Sequence, residues 1–249
     1  MATAQQSNFN FNLSRGSSLS PTGNSSLLSQ SLIFAFGFFP FGDGFAVGIW
    51  FESTPQKTVV WTANRNYPPH SRNATIVLSS DGWLISRELG GQERTIANST
   101  KPALSASLLD SGNLVLYNSD SQLIWQSFDF PTDTLLPGQL LRAGNELVSS
   151  YSETNHSIGI FRIVMQNDGN VVMYPVGSGD PYWAAQTNAI GQNASITLDK
   201  SDRLYIVDRT GIEATTIFDA ATKPDLKTFR ATIDADGIFR LYSQSSRLE

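Results

Sequence analysis

Gln166-Asn167-Asp168-Gly169-Asn170-Val171-Val172-Met173-Tyr174 (QNDGNVVMY) joins a polar turn to a short apolar run. Related phrases recur along the chain: Asp81-Gly82-Trp83-Leu84-Ile85, Ser111-Gly112-Asn113-Leu114-Val115, Ser201-Asp202-Arg203-Leu204-Tyr205 and Asp236-Gly237-Ile238-Phe239-Arg240. In chain order the turns are 30, 57, 33 and 35 residues apart. A turn followed by strand positions at such a period predicts one β-hairpin per repeat. One hairpin cannot bury its own apolar face, so about three must pack around a shared core. The gap of 57 is about twice the others and contains residues 127–139, rich in Asp and Pro. It marks the junction of two tandem domains, 1–128 and 129–249.

Outward from these turns the pattern is all-β. Period-two runs bounded by Gly, Asn, Asp, Ser and Pro fall at 45–51 (FAVGIWF), 58–62 (TVVWT), 75–78, 114–117, 158–165, 171–174, 195–198, 204–207 and 238–242. Many short strands with closely spaced turns indicate a sandwich, barrel or prism. Only residues 210–228, flanked by Gly211 and Pro224, suggest a helical turn. Trp61, Trp125 and Trp183 open the phrases WTAN, WQSF and WAAQ. Their placement after the hairpins reads as inward-facing core residues on return strands.

Composition narrows the function. The chain is 249 residues, 40% hydrophobic and 16% charged, with net charge −5. That suits a folded core and offers no basic patch for nucleic acid. No cysteine is present, whereas six Asn-x-Ser/Thr sequons occur, at Asn12, Asn24, Asn73, Asn98, Asn155 and Asn193. They are candidate N-glycosylation sites of a secreted glycoprotein. The start, MATAQQSNFNFN, has neither the basic nor the apolar region of a signal peptide. Met1-Ala2 and Leu248-Glu249 suit cloning scars on an excised piece. His70 and His156 lack metal-ligand spacing, and no nucleophile elbow or phosphate loop is found. The expectation is a binding module without metal, cofactor or catalytic residues.

Alternation places Gln166, Asp168, Asn170, Val172 and Tyr174 on one face of a strand. These side chains suit a neutral sugar. The carboxylate accepts from hydroxyls, the amides donate and accept, the phenol adds a partner and the valine faces ring C–H groups. The same letters also read as an ordinary solvent-facing β-turn, and both readings stand on pattern alone.

The spacing Gln-x-Asp-x-Asn-x-Val-x-Tyr resembles the mannose-binding motif of bulb-type lectins. The phrase WQSFDFPTDTLLPGQ at 125–139 resembles the junction in plant G-type lectin (S-domain) receptor-like kinases. Ala35-Phe36-Gly37-Phe38, Val47-Gly48-Ile49-Trp50 and Val60-Trp61-Thr62-Ala63-Asn64-Arg65 resemble that group's first lectin domain. The resemblance implies tandem β-prism II domains, each of three four-stranded antiparallel subdomains. It also implies an extracellular recognition module of a single-pass signalling receptor, attached to the membrane only through further C-terminal parts. The implied partner is a mannose-type glycan or glycoprotein. The alternative is a lectin scaffold with vestigial sugar sites, used for protein recognition or for homo- or hetero-dimerisation with another receptor. Carried over by position, only the Gln166 repeat is complete. A degenerate site retains Ser111, Asn113, Val115 and Tyr117. Near Asp81 the motif positions hold Trp83 and Arg87. The Ser201 repeat has Asp199 and Arg203, and the last repeat keeps Asp234, Asp236 and Tyr242 but has Ile238 and Arg240.

Overall fold

A computed structural model describes residues 10–22, 25–54, 57–219 and 227–245. The sequon at Asn24 and the terminal pairs Met1-Ala2 and Leu248-Glu249 lie outside the described residues. The chain divides into two compact units. One comprises Met1–Glu52 and Pro69–Gln126, and the other Ser53–Pro68 and Ser127–Glu249. Among the described residues, regular structure is antiparallel strand apart from two single-turn 3-10 segments, Ser127–Asp129 and Asn188–Ile190. No helix there is long and apolar enough to cross a membrane.

In chain order the strands begin with β1 (Leu13–Ser14), β2 (Ser18–Leu19), β3 (Leu27–Leu28), β4 (Phe34–Phe41), β5 (Gly44–Phe51) and β6 (Val59–Thr62). They continue with β7 (Thr75–Leu78), β8 (Leu84–Arg87), β9 (Glu93–Ala97), β10 (Ser105–Leu108), β11 (Leu114–Tyr117) and β12 (Leu123–Gln126). In the first unit β1-β10-β11-β12 and β2-β7-β8-β9 form sheets, and β3, β4 and β5 pair in a third. Leu13, Leu19, Leu27, Phe34, Phe36, Ile49, Ile76, Leu84 and Leu114 are buried between them.

The second unit holds β6 and eleven further strands: β13 (Thr134–Leu135), β14 (Leu140–Arg142), β15 (Glu146–Ser150), β16 (Ile158–Met165), β17 (Val171–Pro175), β18 (Trp183–Ala184), β19 (Ser195–Leu198), β20 (Arg203–Val207), β21 (Glu213–Asp219), β22 (Lys227–Ile233) and β23 (Phe239–Ser245). Its sheets are β14-β19-β20-β21, β15-β16-β17-β18 and β13-β22-β23. Each contributes to a single apolar cluster that includes Leu135, Leu141, Leu147, Met165, Ile196 and Ile233. Three hairpin sheets sharing one core is the arrangement the repeat required. Each buried aliphatic side chain there adds about 1.5–3 kcal/mol that a lone hairpin would forgo.

The five repeated turns close identically. Ser79, Leu109, Gln166, Asp199 and Asp234 each donate their N–H to the carbonyl four residues on, at Trp83, Asn113, Asn170, Arg203 and Ile238. The fourth residue of each turn has positive φ: Gly82 78°, Gly112 82°, Gly169 91°, Asp202 60° and Gly237 79°. Glycine adopts that conformation without Cβ strain, and aspartate is among the side chains that tolerate it. The sequence repeat is therefore a repeat of backbone geometry.

Two expectations change. Within residues 210–228 the described regular structure is strand, not helix, with Glu213–Asp219 as β21. There Thr215, Thr216 and Phe218 follow strand propensity and pair with β20, with Ile217 at a register shift between them. Trp61 and Trp125 are each only 8% exposed, as expected of inward residues, but Trp183 is 42% exposed.

Both histidines sit in polar clusters. His70 Nδ1 lies 2.8 Å from Glu88 Oε1, and burial holds its pKa below the ordinary value against that partner. His156 is likewise depressed, by burial first, with Asp133 opposing and Arg65 adding to the effect. Both protonate more readily in the unfolded chain, so their contribution to stability is complete above the unfolded histidine value of about 6.5 and declines as pH falls below it. Chemical denaturation at pH 7.5 and 5.5 should therefore give lower stability at 5.5. Equal midpoints would refute a contribution from these groups.

Candidate functional site

The Gln166 repeat is not one continuous strand. Gln166–Asn170 form the hairpin turn between β16 and β17, and the strand begins at Val171. An Asx bond from the Asn170 N–H to Asp168 Oδ1 (2.9 Å) and positive φ at Gly169 favour the turn over extension. The polar alternation of an exposed strand and the chemistry of this turn use the same residues. The consequence for the site is large. On a continuous strand Gln166 and Tyr174 would stand about 26 Å apart at roughly 3.3 Å per residue. The hairpin turns Gln166 back beside Asn170, and its Nε2 donates to the Tyr174 hydroxyl at 2.7 Å.

The turn leaves a defined set of polar groups. Asp168 is exposed, with one carboxylate oxygen engaged by Asn170 N–H. Asn170 Oδ1 accepts from the Thr187 backbone N–H (2.9 Å) and from Thr187 Oγ1 (3.3 Å). Thr187 Oγ1 also lies 2.9 Å from the Gly169 carbonyl. With its oxygen held, Asn170 presents its amide N–H groups outward. Gln166 presents Oε1, and Tyr174, which accepts from Gln166, presents its proton. Acceptors on Asp168 and Gln166 thus stand beside donors on Asn170 and Tyr174, the mixture a polyhydroxylated ring requires. Arg162, ion-paired to Glu146 at 3.0 Å, lies over the Tyr174 ring at 5.2 Å and backs it. Val172 is 3% exposed, so it supplies a floor beneath these groups rather than an open apolar face.

Thr187 and Arg162 were not among the expected site residues. Thr187 stands immediately after the tryptophan-opened phrase WAAQ at 183–186. Thr187 follows Trp183 by four residues and holds Asn170, whereas Gln126 follows Trp125 directly and accepts from Asn113 Nδ2 at 2.9 Å. Thr187→Val keeps the shape and the backbone donor but loses the hydroxyl bonds. At about 1 kcal/mol for such a loss, mannoside binding should weaken roughly five-fold. Unchanged affinity in a calorimetric titration would show that the Asn170 amide needs no such holding.

The other four turns have different contents. In the Ser111 repeat, Asn113 and Val115 are buried, and the Asn113 amide is engaged by Gln126. Arg87 pairs with Glu93 at 2.7 Å. Arg203 pairs with Glu213 at 2.6 Å and Asp219 at 3.5 Å. Arg240 donates to Asp234 and to both oxygens of Asp236, while the Tyr242 hydroxyl bonds Asp234 at 2.6 Å. Hydrogen bonds from Arg240 hold the Asp236 carboxyl down at about 2. Three repeats thus carry arginine–carboxylate pairs, while at the Gln166 turn Asp168 is exposed. Among the sequons, Asn12, Asn73, Asn98 and Asn193 are exposed, while Asn155 is half-buried and accepts the Ser157 N–H.

Residues 58–152 match the family described as D-mannose binding lectin. Over 247 residues the chain is 35% identical to the G-type lectin S-receptor-like serine/threonine-protein kinase LECRK3 of Oryza sativa subsp. indica, covering 93% of this chain and 30% of that protein. It is 31% identical over 204 residues to the similarly described RLK1 of Arabidopsis thaliana, covering 75% of this chain and 24% of that one. The solved mannose-specific agglutinin of snowdrop (Galanthus nivalis), complexed with methyl-α-D-mannoside, aligns with a TM-score of 0.37 at 20% identity, over 47% of this chain and 94% of that one. The chain spans less than a third of the length of the curated relatives it matches. It belongs to the bulb-type, D-mannose binding lectin family, in the form carried by plant G-type lectin S-receptor-like kinases.

Proposed function

We propose that this chain is the extracellular recognition part of a receptor-like kinase, built as tandem lectin domains at 1–128 and 129–249, and that the Gln166 hairpin binds a mannose-type glycan. The observation that carries the sugar assignment is the bond from Gln166 Nε2 to the Tyr174 hydroxyl, which gathers this repeat's polar groups at one turn. A solvent-facing site of a few neutral hydrogen bonds, each netting about 0.5–1.5 kcal/mol, has a dissociation constant of about millimolar. Useful affinity then comes from an extended or clustered glycan. Titration with methyl α-D-mannoside, followed by the side-chain amide resonances of Gln166 and Asn170, should saturate with shifts confined to this hairpin. No saturable shift by roughly 50 mM, far above the millimolar expectation, would remove the sugar from the proposal.

The arginine-filled turns favour a second reading for the rest of the scaffold. Arg87, Arg203 and Arg240, each held by carboxylates, are charged surface features suited to a protein partner or a second receptor.

A further inference from the structure

In the sheet β15-β16-β17-β18, Leu147, Ile163, Met165, Val171 and Met173 turn one face into the core. Alternation therefore turns Glu146, Arg162, Val164, Val172 and Tyr174 to the opposite face. The register arranges them in two rows. Glu146 stands opposite Val164, which stands opposite Val172, and Arg162 stands opposite Tyr174. The polar groups of the Gln166 turn open onto this same face, where Gln166 reaches Tyr174. Gln166, Val164 and Arg162 follow one another at every second position. At roughly 3.3 Å per residue, Gln166 and Arg162 lie about 13 Å apart, the reach of two pyranose rings rather than one.

The far end of that row has its own polar groups. The Glu146 and Arg162 side chains are 40% and 31% exposed. Arg162 Nη1 donates to Glu146 Oε2 at 3.0 Å, while Nη2 reaches only the Ser178 carbonyl, at 3.5 Å. The second oxygen of Glu146, Oε1, accepts no bond among the described residues. The pair thus presents a charged acceptor beside a weakly used charged donor. Adjacent hydroxyls of a pyranose, each able to donate and accept, answer both. Between the pair and the turn, Val164 is half-buried and can meet ring C–H groups, which Val172 at 3% exposure cannot. The last repeat shows the contrast. Arg230 lies over Tyr242 at 3.8 Å, as Arg162 lies over Tyr174, but its Nη1 donates to the Thr232 hydroxyl rather than to an exposed carboxylate.

We propose that Val164, Glu146 and Arg162 form a second sugar subsite, which takes the residue linked to the mannose at the Gln166 turn. Val164 underlies that second ring, and the Glu146–Arg162 pair binds two of its neighbouring hydroxyls. The inference rests on the mannose reading of the Gln166 hairpin and deepens it: the ligand is an oligosaccharide whose second residue is a neutral sugar with an accessible diol.

Calorimetric titrations with methyl α-D-mannoside and with the α-1,2-, α-1,3- and α-1,6-linked mannobioses test it. At least one mannobiose should bind the unmodified chain about ten-fold or more tightly than the monosaccharide, the gain expected of added hydrogen bonds to charged groups. Glu146→Gln keeps an acceptor for Arg162 Nη1 but removes the charged acceptor. This variant should bind methyl α-D-mannoside within about two-fold of the unmodified chain, while the mannobiose advantage falls to about three-fold or less. A partly exposed ion pair adds little to folding, so the variant should also melt within about 2 °C of the unmodified chain. A monosaccharide that binds as tightly as every mannobiose would overturn the second subsite and leave the mannose site standing. A mannobiose advantage that survives Glu146→Gln would overturn its assignment to this pair. If neither monosaccharide nor mannobiose binds, the mannose reading falls and this inference falls with it.

Discussion

Asp168→Ala is expected to remove measurable mannoside binding. Its carboxylate is the only charged acceptor at the Gln166 turn, and one of its oxygens is already spent on the Asn170 N–H. A hydrogen bond to a charged group contributes about 1.5–3 kcal/mol, so its loss weakens binding roughly 10- to 100-fold. From a millimolar starting point, that places binding beyond practical concentrations. Asp168→Asn should keep the Asx turn and lose the charge, giving an intermediate loss of several-fold. Because Asp168 is exposed, the melting temperature of either variant should move by no more than about 4 °C. Retention of wild-type affinity by Asp168→Ala would place the sugar elsewhere on the chain.

The largest stability effect is expected from Arg65→Ala. The Arg65 side chain is 7% exposed. Its Nε donates to the His156 carbonyl (2.8 Å), Nη1 to the Val148 carbonyl (2.7 Å) and Nη2 to the Ser149 carbonyl (2.9 Å). Ser150 Oγ, itself bonded to Asp133 at 2.6 Å, lies 3.2 Å from Nη2, and the Asp133 carboxylate lies 3.9 Å away. Burial lowers the guanidinium pKa, and Asp133 opposes that shift. Truncation removes the Arg65 donors from the Val148, Ser149 and His156 carbonyls and weakens the countercharge on Asp133, to which Arg230 still contributes. Breaking a buried pair in this way costs about 3–5 kcal/mol, equivalent to roughly 10 °C in this size range. Arg65→Lys retains charge but not the planar fork that serves four carbonyls, Ser157's included, and should recover only part of the loss. Differential scanning calorimetry of the three proteins decides the matter. A shift under about 2 °C for Arg65→Ala would mean that water replaces the fork at little cost.

The strands and hairpins were legible because they rest on local rules. Alternation located β7, β11, β16 and β19 to the residue, and the Asp-Gly and Ser-Gly phrases marked where φ turns positive. Features that depend on distant contacts were not legible. Residues 166–170 carry the alternation of a strand, yet Gly169 and the Asx bond make them a turn, and this alone brings Gln166 to Tyr174. Trp183 follows its hairpin as Trp125 does, but it is 42% exposed and lines an apolar cavity with Phe239 and Leu241 of β23. The segment 60–65, VWTANR, was recognised as a family phrase. Its physical role, a guanidinium fork closing on carbonyls far along the chain, is visible only when those carbonyls are in place.

That long reach sets a timetable for synthesis. The Val148 and His156 carbonyls follow Arg65 by 83 and 91 residues. At about 5–20 residues per second, Arg65 waits roughly 4–18 s after its own translation for these carbonyls to be synthesised. For most of that interval Trp61, with an indole N–H that finally bonds the Phe130 carbonyl 69 residues on, is held by a nascent chain that has not yet made its partner. Chaperone capture of the translating polypeptide should therefore peak between the appearance of residue 68 and that of β16, and ribosome-bound intermediates halted in that window should be more protease-sensitive around residues 57–68 than the released protein.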